Sequence, residues 1–254
     1  MGDYKSTIPH TFMSNTTINK TKKVSKKYSA NIAKIKAATG GKDKLDLKLA
    51  VETLFSLEQP KFKDGAMVEL HVKLNINPAK TDQNVRSSVT LPFGIGKKVT
   101  IAAFVTPEKV EAALAAGATI AGGEELIEEI KTNGSVNFER AIAMPDMMKK
   151  LPAIARILGT AGVMPNPKTG TVGDNIEEII KEILAGKIDF KNDKGGNLHI
   201  PCGKINSAFT VDSIVSNIQA ALDAIEKSKP EAVKKKLVAS AFISSTMSPS
   251  IKIA

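Results

Sequence analysis

The run Met164-Pro165-Asn166-Pro167-Lys168-Thr169-Gly170-Thr171-Val172 constrains the fold of this chain more than any other stretch. Each proline fixes φ, lacks an amide donor and pushes the residue before it toward extended geometry, so neither a helix nor a central strand passes through Pro165 to Pro167. Gly170 then frees the backbone for a turn. A comparable polar stretch lies upstream, Thr81-Asp82-Gln83-Asn84-Val85-Arg86, followed by Leu91-Pro92-Phe93-Gly94-Ile95-Gly96-Lys97. Two stiff, broken segments of this kind predict a hinge that the chain crosses twice.

Apolar periodicity supplies the elements on either side. Leu47, Ala50, Val51, Leu54 and Phe55 recur at helical spacing until Pro60. From Val68 the period becomes two, with Val68, Leu70, Val72 and Leu74 on one face and Glu69, His71 and Lys73 on the other, which predicts a half-buried strand. Between residues 94 and 165, short apolar runs (99–105, 118–121, 138–143) alternate with helical stretches (108–116, 124–131, 146–158), the pattern of a parallel sheet covered on both faces. Beyond the strut, Asp174 with Glu177 predicts an N-capped helix to Ala185, closed by Gly186. Strands are expected at 188–191, 198–205 and 237–244, and a helix whose stripe holds Ile214, Val215, Ile218, Leu222 and Ile225. These pieces match the N-terminal block. The expected fold is therefore an α+β outer domain built from both chain ends, 28–93 and 166–254, with an inserted three-layer, Rossmann-like α/β domain with a parallel sheet over 94–165.

Charge is distributed unevenly. Of the net +10, residues 1–36 carry +7, whereas residues 94–165 are balanced at 0. The first 27 residues, rich in Ser, Thr, Asn and Lys, are too polar to fold alone and read as a basic disordered tail, suited either to solvent or to RNA phosphates. Only Arg86, Arg140 and Arg156 are arginines, which argues against an arginine-rich transit peptide. No apolar run is long enough to span a bilayer, and the lone Cys202 excludes an intrachain disulfide framework.

Catalytic motifs fail on spacing. Gly94-Ile95-Gly96 lacks the third glycine of a dinucleotide fingerprint and precedes a strand instead of following one. Gly203-Lys204 lacks the upstream glycine of a phosphate loop, since Leu198 stands there. His199 and Cys202 have no second pair to complete a zinc site, and His10 and His71 read as isolated. No catalytic residue, metal or cofactor is expected. Ser244-Ser245-Thr246-Met247-Ser248-Pro249, by its residues alone, is a strand-ending turn with four hydroxyls.

Taken in order, DQNVR at 82–86, LPFGIGK at 91–97, MPNPKTGTV at 164–172 and SSTMSPS at 244–250 resemble the ribosomal protein L-one family, of bacterial or organellar type, over roughly residue 28 to the C-terminus. The resemblance implies a non-enzymatic constituent of the large ribosomal subunit. It would bind stalk ribosomal RNA, assist movement and release of deacylated exit-site tRNA, and act as a translational repressor of its own mRNA. It implies a place on the ribosome, in bacterial cytoplasm or in an organelle matrix or stroma, with no membrane partner and no homo-oligomer. The RNA contact would fall on Ser245, Thr246, Met247 and Ser248, on Lys61 and Phe62, and on Ser240, with His199 and Lys204 on strands beside them. Ser248 stands where the family motif has glycine, and Thr160-Ala161 where it commonly has Pro-Arg. Lys80, Arg86, Asn166 and Lys168 would face tRNA or form the hinge. The alternatives are an extraribosomal RNA-binding relative and a nucleotide-dependent enzyme using the middle domain.

Overall fold

The computed structural model describes residues 25–40, 43–97, 99–206 and 208–253. The basic tail expected over 1–27 thus lies almost wholly outside the described residues, as does His10. Helix α1 (Lys26–Thr39) begins at Ser25, whose hydroxyl accepts from the Tyr28 amide, and α2 (Leu47–Ser56) follows with Ala50, Val51 and Leu54 buried. Strand β1 (Ala66–Leu74) buries Val68, Leu70, Val72 and Leu74, as the alternation predicts. β2 (Arg86–Thr90) leads toward the middle of the chain.

The middle holds β3 (Ile101–Phe104), α3 (Val110–Ala115), β4 (Ile120–Gly122), α4 (Glu124–Asn133), β5 (Arg140–Ala143), α5 (Pro145–Met148) and α6 (Ala155–Ala161). Pairing is parallel in the order β4-β3-β5, and every residue of β3 is buried, as a strand covered on both faces requires. The helix expected over 146–158 is interrupted by a 3-10 turn, Leu151–Ile154, with Pro152 in its first turn. Proline cannot donate the amide that a continuous helix would need there.

After the strut come α7 (Ile176–Leu184), β6 (Lys187–Lys191), β7 (Asn197–Ile205), α8 (Val211–Lys227), β8 (Val238–Ser245) and β9 (Ile251–Lys252). Antiparallel β7-β1-β8-β9 form one sheet, and β2 with β6 a two-stranded ribbon that the sequence pattern did not reveal at β2. Helices α2 and α8 pack against each other over one face of the larger sheet, with Ile214, Ile218, Ala221 and Ile225 buried. A capping box between Thr210 and Ser213 starts α8.

Two separate clusters of buried side chains result. One joins α2, the four-stranded sheet, the ribbon and α8; the other surrounds the parallel sheet. Sequence pattern groups 174–185 with the outer block, yet Ile176, Ile180 and Ile183 of α7 belong to the second cluster. The helix begins at Asn175 rather than Asp174. Asn175 makes no side-chain cap bond, and its Nδ2 lies 3.4 Å from Glu178 Oε2. The strut is stiff through its own bonds. Asn166 Oδ1 accepts from the Lys168 amide at 2.8 Å, Thr171 Oγ1 from the Asn166 amide at 2.8 Å, and Val172 bridges β5 at Ala143.

Candidate nucleic-acid interface

The start of β1, the end of β7 and the end of β8 meet at one corner of the four-stranded sheet. Val68 pairs with Ser245 and with Gly203, and Met67 with Lys204. Beyond β8 the chain turns sharply. Ser248 donates its amide to the Ser245 carbonyl at 2.9 Å, and its Oγ accepts from the Ser245 amide at 2.8 Å. Thr246 is locked to β1, its amide donating to the Met67 carbonyl at 2.9 Å and its Oγ1 accepting from the Met67 amide at 3.0 Å. Ser245 is buried, its hydroxyl donating to Gln59 Oε1 at 3.0 Å.

Met247 is what this bracing presents. Its φ is +66°, the single positive value at a non-glycine among the described residues, and its side chain is 78% exposed. A left-handed backbone costs an L-residue about 1–2 kcal/mol, and here it holds an apolar side chain outward. Ser248 has no positive φ and fits without strain; the family glycine it replaces is not needed for conformation.

Lys61 and Phe62 lie on the strap entering the same corner. Both are exposed, Phe62 at 48%, and the strap is fixed by the Phe62 amide donating to the Pro60 carbonyl and the Gly65 amide to that of Phe62. Gly65, at φ +83°, lets the strap press on β7: a Cβ there would sit 2.4 Å from the Ile205 carbonyl oxygen. Lys204 shares the corner but is only 9% exposed, its Nζ 3.7 Å from Asp64.

From the corner, the outward face of the sheet carries Met67, Glu69, His71 and Lys73 of β1, His199 of β7, and Ser240, Phe242 and Ser244 of β8. His71, which reads as isolated in the sequence, is not. It lies opposite His199 in register, with the two Nδ1 atoms 2.8 Å apart, and its Nε2 is 3.0 Å from Ser244 Oγ. Burial and the facing His199 hold the His71 pKa below the usual value, against the pull of Glu69. Near the corner, Met67, Glu69 and Pro201 line a cleft of about 600 Å³ against Phe138, Arg140 and Val163.

Ser240 lies opposite Lys73, toward the far end of the strands, so it joins the sheet face rather than the corner. Cys202, the unpaired residue of a bulge between Val68 and Glu69, is buried, and burial pushes its thiol up to about 12. It packs, and is no nucleophile at neutral pH.

A third locus lies where ribbon meets strut. Arg86, Asn166 and Lys168 line a groove of about 470 Å³ together with Lys191, the ribbon partner of Arg86, and Asn192. Asn192 is buried, accepting from the Val85 amide at 2.9 Å and donating to Asn84. Lys80 is exposed on the adjoining loop and does not line the groove. Sequence reasoning missed Lys191, Asn192, His71 and Phe242. Strand alternation places His71 and Phe242 outward, but only the register shows what stands beside them.

Phosphates, 2′-hydroxyls and unstacked bases of folded RNA are met by charged, hydroxyl and aromatic or thioether groups on a rigid frame. Corner, face and groove together supply that set. A family described as the Ribosomal protein L1p/L10e family matches residues 18–249, and the chain belongs to that family. It is a structural RNA-binding family and not one of enzymes, which removes the nucleotide-dependent alternative. Similar relatives include the large ribosomal subunit protein uL1 of Kosmotoga olearia, 43% identical over 80% of this chain and 86% of its own length. The uL1 of Thermus thermophilus is 46% identical over 73% of this chain and 80% of its own length, and that of Fervidobacterium nodosum 40% over 89% and 95%. Among the described residues no helix is long and apolar enough to cross a membrane, and no cluster of three or more metal-ligating side chains occurs.

Proposed function

We propose that the chain is a structural constituent of the large ribosomal subunit whose corner, built from Phe62 and residues 245–248, grips the stalk ribosomal RNA. The observation that carries this reading is Met247, strained and exposed on a turn in which Ser245, Thr246 and Ser248 are bonded to the protein. Contact to RNA then falls to the thioether, to Phe62 and Lys61, and to the histidines and Ser240 of the sheet face. Thr246 acts by fixing the turn.

The middle unit, carried by the hinge, extends this grip, and the groove at Arg86, Lys168 and Lys191 meets the backbone of deacylated tRNA leaving the exit site. A leader of its own mRNA that copies the ribosomal site would occupy the same corner, giving translational repression. Co-sedimentation tests the assignment. Wild-type protein is expected with large subunits from its own source, and Phe62→Ala combined with Met247→Ala should move it to the soluble fraction. Sedimentation unchanged in that double variant would remove the corner from the contact, and wild-type protein absent from large subunits would favour an extraribosomal role.

A further inference from the structure

At the end of the sheet opposite the Thr-Met turn, three loops are tied side by side. The Asn75 amide donates to the Leu237 carbonyl at 2.8 Å, Asn75 Nδ2 to the Lys236 carbonyl at 2.9 Å, and Lys73 Nζ to the Gly195 carbonyl. Those bonds gather Lys73, Lys194, Lys234, Lys235 and Lys236, all exposed, and none forms an ion pair among the described residues. Asp82, Asp193 and Glu231 are the acidic residues on the same loops, against Lys73, Lys80, Lys194, Lys229, Lys234, Lys235 and Lys236. Asp193 is engaged within its own loop, accepting from the amides of Gly195 at 2.8 Å and Asn197 at 2.7 Å. Net positive charge therefore concentrates on one small surface.

We infer that these lysines form a second RNA contact, a phosphate clamp that reads charge and not sequence, on the same RNA held at the corner. This rests on the RNA-binding reading above. β1 runs from one end to the other over nine residues, so corner and clamp lie about 26 Å apart, and the outward face between them is polar and aromatic rather than apolar. An RNA segment laid along the face reaches both. Lysine is the residue for the task, a point charge on a flexible stem that follows a backbone without demanding one base.

Salt dependence is the test. For a stalk RNA fragment of the large subunit, wild-type protein should lose affinity steeply with salt, each neutralised phosphate contributing about 0.7–0.9 to the slope of log affinity against log salt. Lys234→Gln/Lys235→Gln/Lys236→Gln should lower that slope by about 2–3, and Lys194→Gln, on a separate loop, by about 1, with discrimination between cognate and scrambled RNA unchanged. Met247→Ala should do the reverse, reducing discrimination at constant slope. An unaltered slope in both lysine variants, with wild-type melting temperatures, overturns the clamp and leaves the corner intact. Lysine-dependent binding to anionic vesicles with an unaltered RNA slope would assign the patch to a membrane and overturn it too. Wild-type protein that does not distinguish cognate from scrambled RNA overturns the reading on which the clamp rests.

Discussion

Met247 offers the sharpest test of the site because folding and binding should pull on it in opposite directions. At φ +66° the backbone favours glycine, and replacing methionine there relieves about 1–2 kcal/mol of strain. Glycine returns roughly 0.5–1 kcal/mol of that through the greater freedom of the unfolded chain. With the side chain 78% exposed, little packing is lost. Met247→Gly should therefore leave stability unchanged or raise it by about 1 kcal/mol, an increase of up to about 4 °C in Tm for a chain of this size.

Binding should move the other way. Complete burial of a methionine is worth roughly 1.5–3 kcal/mol, and most of this side chain is still available to be covered. Its loss should cost about 1–2 kcal/mol, a five- to thirtyfold rise in Kd for stalk RNA. Met247→Ala separates the terms by keeping the strained backbone and removing the thioether, so it should show the same affinity loss with stability within about 0.5 kcal/mol of wild type. Fluorescence anisotropy at fixed salt and thermal unfolding measure both. A glycine variant more stable than wild type that binds RNA equally well would show that the strain serves nothing at this surface. One destabilised by more than about 1 kcal/mol would show that the side chain is packed against the protein.

Thr246→Val orphans the Met67 amide, so it should lower stability by about 1–3 kcal/mol in thermal unfolding, whereas a hydroxyl reserved for RNA would leave Tm unchanged. His71 has a folded pKa below its unfolded value, so its contribution is present above about pH 6.5 and is lost as pH falls; His71→Gln should flatten that part of the pH–stability curve. Cys202, pushed up to about 12, stays protonated while the unfolded thiol ionises, so stability should decline above about pH 9 by more than in Cys202→Ala. The same thiol should resist iodoacetamide at pH 8 until the protein unfolds.

The sequence exposes those parts of this protein that rest on periodicity and on proline. The alternation in β1, the stripe of α8 and the parallel strands of the middle follow from spacing, because burial on one face or on two leaves a period in the chain. The ribbon strand β2 left no such mark: Arg86-Ser87-Ser88-Val89-Thr90 buries Val89 alone, and its pairing with β6 is fixed across about a hundred residues. Thr246 was visible as a hydroxyl but not as a brace, since its partner, the Met67 amide, is specified by register. The strained residue could not be placed either. Glycine in the family motif points to Ser248, whereas the turn puts its positive φ one residue earlier, at Met247.

The boundary between the two buried clusters is a matter of packing rather than of the prolines. Gly94 and Gly186 cross so closely that a Cβ on Gly186 would lie 2.6 Å from the Gly94 Cα, and the Leu91 amide donates to the Gly186 carbonyl at 3.2 Å. Buried Asn217 of α8 pins this crossing, accepting from the Phe93 amide and donating to the carbonyls of Gly94 and Cys202. All buried members of the outer cluster lie at or before Leu91 or from Ile188 onward, and all those of the other cluster between Ile101 and Ile183. Replacing 95–185 with a short glycine linker thus divides neither cluster, and the product should unfold cooperatively and bind stalk RNA within about tenfold of wild type, or ~1.4 kcal/mol. It would also open the cleft over Met67, Glu69 and Pro201, so nothing in the excision obstructs the corner. Excising 95–164 instead leaves Ile176, Ile180 and Ile183 without the side chains they pack on, and that product should aggregate or lose the helix. If the 95–185 excision folds, with Met247 and Phe62 in place, and binding is nonetheless abolished, the middle unit carries part of the specific contact and the corner is only half of the site.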